Sequence, residues 1–138
     1  MKTLKAILSI LAATLGTFGM AGLFNLLLVG RLITISPDIL RETMIYPLII
    51  AGYLALSCLL YFVGTRSQFA RARLPHWIVT GIIIWEAAFG LSALVLQGTY
   101  NLPLAAIPLD LFWYVVEGGV GGLVMFWFHR TDAGTLIR

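Results

Sequence analysis

Four uninterrupted apolar runs, over about residues 6–30, 45–64, 75–96 and 109–129, constrain this chain more than any other feature. Each matches the roughly 20 residues an α-helix needs to cross about 30 Å of hydrocarbon. All are too long for strands. A backbone surrounded by lipid finds no water to bond, so each run must close its own hydrogen bonds as a helix. Composition agrees, with 60% of residues hydrophobic and 11% charged. A water-soluble domain of 138 residues cannot bury that much apolar surface. The expected fold is therefore all-α, with residues 1–138 forming one integral membrane domain, a four-helix transmembrane bundle.

The first run begins like a signal peptide. Lys2 and Lys5 precede it, and Met20-Ala21-Gly22 offers small residues for cleavage. An apolar signal core is about 7–15 residues long, whereas this run continues through Leu28 and Val29 to Gly30. A retained helix is expected. The basic residues then set its direction. Lys2, Lys5, Arg66, Arg71, Arg73, Arg130 and Arg138 fall on one side, and only Arg31 and Arg41 on the other. Basic residues are retained on the cytoplasmic side. Both termini and the 65–74 loop are therefore expected in the cytoplasm, and the chain in the cell (inner) membrane as a multi-pass protein. The net charge of +3 lies in these gaps, not on one exposed face, which argues against nucleic acid.

The connections carry local signals. Ser36-Pro37-Asp38 has the pattern of a helix start, so a short helix over 37–44 is expected at the outer interface. Pro47 bends or restarts the chain into the second span, and Pro75 and Pro108 launch the third and fourth.

An ionisable side chain within a span costs a few kcal/mol on insertion scales, so Glu86 and Glu117 ask for a reason. Counted from the outer ends of the third and fourth spans, they lie at depths of about 15 and 12 Å. Antiparallel neighbours would bring them to one level, near the midplane. Two carboxylates in a low-dielectric site do not both ionise cheaply, so such a pair suits proton transfer. Asp110, Tyr114, Glu117 and Gly121 form one stripe on the fourth helix, flanked by Trp113, while Trp85 adjoins Glu86 on the third. Tyr46, Tyr53, Ser57 and Gly64 form a stripe on the second. Asn25 sits near the outer end of the first.

Glu86 and Glu117 are thus the candidate proton-transfer residues. Tyr53, Trp85, Asp110, Trp113, Tyr114 and Asn25 are candidates for contacting a substrate. Trp77, Tyr100 and Trp127 have the placing of interface anchors. Gly118 and Gly122 match the small-residue spacing that lets helices approach closely. That spacing serves either packing within one bundle or pairing between subunits, and a homo-oligomer through these residues is expected.

Cys58 stands alone and is expected as a small core residue. His76 and His129 lie at the cytoplasmic ends, distant from both glutamates, so no metal or cofactor is expected. The marks of soluble hydrolases and nucleotide-binding enzymes are missing. Three functions fit. The leading one is proton-linked binding or transport of a hydrophobic or cationic small molecule. The others are a membrane-embedded acid–base enzyme, such as an isomerase or cyclase acting on a lipophilic substrate, and a non-catalytic subunit of a larger complex.

Overall fold

The computed structural model describes residues 2–24, 26–27, 45–66, 73–99 and 106–133. It is all-helical. Helix α1 covers Lys2–Phe24, α2 Tyr46–Arg66 and α3 Leu74–Trp85. A π turn over Glu86–Gly90 joins α3 to α4, Leu91–Thr99, and α5 runs over Ala106–Ala133. Among the described residues, four stretches are long and apolar enough to cross a membrane: Thr3–Phe24, Tyr46–Arg66, Leu74–Val95 and Ile107–Arg130. The third of them contains α3, the π turn and part of α4. The expected interfacial helix over 37–44 lies outside the described residues, as do Asn25 and Tyr100.

Local chemistry explains the ends. Pro75 occupies the first turn of α3, where the amide hydrogen it lacks would have no helical partner, and Arg73 before it is extended. Within α1, the buried hydroxyls of Thr14 and Thr17 donate to the carbonyls of Ile10 and Ala13 at 2.9 and 2.8 Å. Such back-bonding lets a small polar residue sit in an apolar layer without an interhelical partner.

The helices form a ring in which α1 packs on α2 and α5, and α3 packs on α5 and α2. Gly16 faces Val120 and Val124, while Phe24 stacks on Trp113, so α1 and α5 run antiparallel. Gly81 meets Gly118, and Trp77 meets Gly122, so α3 and α5 do too. Helices α2 and α5 lie across the ring from one another and run parallel, with Tyr53 at Glu117 and Tyr61 at His129. Lys5, Arg66, Arg73 and Arg130 therefore share one end of the bundle.

The α3–α5 contact is backbone on backbone. A Cβ at Gly81 would strike the Gly118 carbonyl oxygen, and one at Gly122 the Trp77 carbonyl oxygen. In lipid, where apolar side chains gain little by meeting one another, this close approach supplies the packing. Gly118 and Gly122 are buried within the chain against α3, the packing within one bundle that their spacing allows.

Two expectations are overturned. Trp77 is fully buried, stacked on His129 with ring centroids 5.5 Å apart, and it fits because Gly64 leaves room for its ring. It is a core residue of the bundle, not an interface anchor. Cys58 is exposed. It lies on the face of α2 that also exposes Leu54 and Phe62, and in a bilayer an apolar side chain is as well placed there as in the core. Trp127 is 59% exposed, with the Arg130 guanidinium over its ring at 3.7 Å.

Candidate functional site

Helix α2 buries Tyr53, Ser57, Leu60 and Gly64, which recur at helical spacing and so form one inward stripe. Tyr46, expected on the same stripe, is 56% exposed. Helix α3 ends on Trp85, whose side chain is fully buried. Helix α5 presents Trp113, Glu117, Gly118, Gly121 and Gly122 as buried positions.

These three stripes converge on the Glu117 carboxyl, which is 2% exposed. Its Oε2 accepts a hydrogen bond from the Tyr53 hydroxyl at 3.1 Å and another from the Trp85 indole nitrogen at 3.2 Å. The indole nitrogen of Trp113 approaches the same carboxyl without reaching hydrogen-bonding geometry. Gly121 makes room one turn below. A Cβ there would come within 3.4 Å of Leu60 and 3.6 Å of the Trp85 ring.

Aromatic rings complete the enclosure. Phe18 meets Tyr53 edge-on at 5.9 Å, and Phe24 stacks on Trp113 at 4.5 Å. Phe89 lies 5.7 Å from Tyr53 and stacks on Tyr114 at 5.4 Å. Tyr53 and Trp85 turn their donor edges to the carboxyl, so a cation here is held by the full charge, and a ring face adds its quadrupole only where the cation lies over it. Such attractions are strong where water is excluded.

Glu86 takes a different position. It opens the π turn, and its Oε2 lies against Gly90 of the same turn, with Leu111 of α5 beyond. Its Oε1 is buried and has no hydrogen-bond partner. Tyr114 stands in electrostatic reach of Asp110, Glu86 and Glu117 alike. The two glutamates thus belong to one region, but Glu86 is not bonded into the Glu117 cluster. Asp110 is half-buried and lies farther out along α5.

Of the residues singled out in the sequence, Glu117, Tyr53, Trp85 and Trp113 come together, with Tyr114 beside them. Phe18, Phe24, Phe89 and Gly81 were not anticipated. Phe89 carried a signal, being three residues after Glu86 and four after Trp85 on one side of the span. Phe18 and Phe24 carried none that separates them from lipid-facing phenylalanines. Among the described residues, no three of His, Cys, Asp and Glu gather in a way that could hold a metal ion. No family model matches the chain, and no match was found among curated proteins or solved structures.

Proposed function

We propose that the chain is a small multi-pass membrane protein that binds a lipophilic cation at Glu117 and carries it across the membrane in exchange for protons. The single observation behind this reading is a buried carboxyl held by two neutral donors inside a shell of aromatic rings. A buried carboxyl keeps its surroundings neutral by holding either a proton or a cation, and that alternative links the two. Tyr53 and Trp85 orient the carboxyl, and their rings face the ligand's apolar body. Tyr114, Asp110 and Glu86 lie along its approach.

In the cell the termini lie on the cytoplasmic side of the inner membrane. Lys5, Arg66, Arg73 and Arg130 support this orientation, since basic flanks stay with the cytoplasm. Arg66 lies over Phe62 at 3.9 Å and Arg130 over Trp127, and both can also reach anionic headgroups.

The test uses tetraphenylphosphonium and the full chain in nanodiscs and proteoliposomes. Binding should quench tryptophan fluorescence, because Trp85 and Trp113 sit at the carboxyl. Uptake should follow an imposed proton gradient. The Glu117→Gln variant should lose both. If that variant transports with unchanged pH dependence, the proposal is wrong.

A second reading draws on the buried, unbonded oxygen of Glu86. In a membrane-embedded isomerase or cyclase, one glutamate would protonate a lipophilic substrate and the other would take a proton back. Conversion of substrate without net transport would favour it.

A further inference from the structure

Seven of the nine basic residues fall at the end of the bundle that holds both termini, where the sequence places a single acid, Asp132. The described carboxylates, Glu86, Asp110 and Glu117, lie away from that end. Two of the seven cations are fixed by rings. Arg66 closes α2 and lays its guanidinium over Phe62, 3.9 Å from the ring centroid, and Arg130 does the same over Trp127 at 3.7 Å. At that separation the flat face of the guanidinium rests on the ring, while its N–H donors lie in its plane and stay available. Both arginines are exposed.

An apolar stripe leads up to each ring along a face that looks out of the bundle. On α2 it is Leu54, Cys58 and Phe62, and on α5 it is Val115, Leu123 and Trp127. Along the helix, Leu54 to Arg66 spans about 18 Å and Val115 to Arg130 about 22 Å. Either length covers one leaflet, about 15 Å of hydrocarbon. An acyl chain fits along the stripe, and the phosphodiester above it meets the guanidinium that the ring holds in place. The guanidinium fork matches phosphate oxygens two at a time. We propose that Arg66 with Phe62, and Arg130 with Trp127, are two headgroup sites for anionic phospholipid, on opposite sides of the bundle. The inference needs the helices to cross a bilayer and nothing of the cation site at Glu117.

Trp127 is the natural reporter, because Trp77 and Trp85 are fully buried and Trp113 nearly so. The full chain is placed in phosphatidylcholine vesicles with a minor fraction of lipid brominated near the headgroup end of its acyl chains, either phosphatidylglycerol or phosphatidylcholine. Brominated phosphatidylglycerol should quench tryptophan fluorescence beyond its share of the bilayer, at a local enrichment of about fivefold, the factor one cationic side chain at the surface supplies. Arg130→Gln should remove most of that enrichment. Arg130→Lys keeps the charge without the flat fork and should lose about half or more of it. Arg66→Gln takes the same charge from the same end, across the bundle, and should leave the Trp127 signal unchanged. Moving the reporter with Phe62→Trp and Trp127→Phe should exchange the roles of the two arginines.

An Arg130→Lys variant as enriched as the wild type overturns the sites in favour of diffuse attraction. So does an Arg66→Gln variant that loses as much as Arg130→Gln. Equal quenching by the two brominated lipids overturns the sites and leaves the four spans standing, whereas quenching by neither overturns the spans as well.

Discussion

The Tyr53 hydroxyl meets the Glu117 carboxylate at 3.1 Å across the diagonal of the bundle, joining two helices whose backbones scarcely touch. Trp85 reaches the same oxygen from α3, so one atom ties three helices together. Polar contacts of this kind are modest individually. In membrane bundles they are worth about 0.6 kcal/mol on average and up to about 1.7.

Removing one donor should therefore have a small effect. Tyr53→Phe is expected to destabilise the folded chain by about 0.5–1.5 kcal/mol in a reversible unfolding titration in mixed micelles. A variant as stable as the wild type would mean that the bond contributes nothing net.

Changing the acceptor separates stability from chemistry. Glu117→Gln keeps an oxygen for Tyr53 and Trp85, so it should stay within about 1 kcal/mol of the wild type while losing cation binding. Glu117→Leu strands two buried donors and should lose about 1–3 kcal/mol for each. The same micelle titration ranks the two, and equal stability would remove the carboxyl from any structural role.

The glycines divide by partner. A methyl at Gly81 or Gly118 meets backbone that cannot yield, so Gly81→Ala and Gly118→Ala should each destabilise by about 1–3 kcal/mol. Gly19 and Gly22 have nothing within 4 Å of an added Cβ, and alanine there should be neutral or slightly stabilising. Thermal unfolding of the four variants in one detergent checks the contrast, which fails if Gly19→Ala ranks with Gly81→Ala.

Cys58 offers a direct check on which side of α2 faces lipid. A nitroxide attached there should show strong relaxation by oxygen, which dissolves in the bilayer, and little by a water-soluble nickel complex. The opposite pattern would turn α2 about its axis and take Tyr53 away from Glu117.

Trp77 shows why some of this was hidden from the sequence. Its position near a helix end has the look of an interface anchor, yet the space left by Gly64 on another helix draws it into the core beside His129. Cys58 makes the reverse case. An apolar residue in a span can face lipid or protein at similar free energy, so hydrophobicity cannot say which. Glu117 could be singled out because a carboxyl in hydrocarbon is costly wherever it points.

By itself the sequence determined that four helices are long and apolar enough to cross a membrane, and that two glutamates sit deep within them. Length against bilayer thickness, together with the need to satisfy every backbone group, leaves no other solution. Only the tertiary structure decided that Glu117 is clasped by Tyr53 and Trp85 while Glu86 stands apart at a seam, and that Gly118 and Gly122 face α3. Those outcomes depend on how each helix is rotated about its axis. In lipid that rotation is set by shape and by a few polar contacts between distant residues, neither of which a linear pattern records.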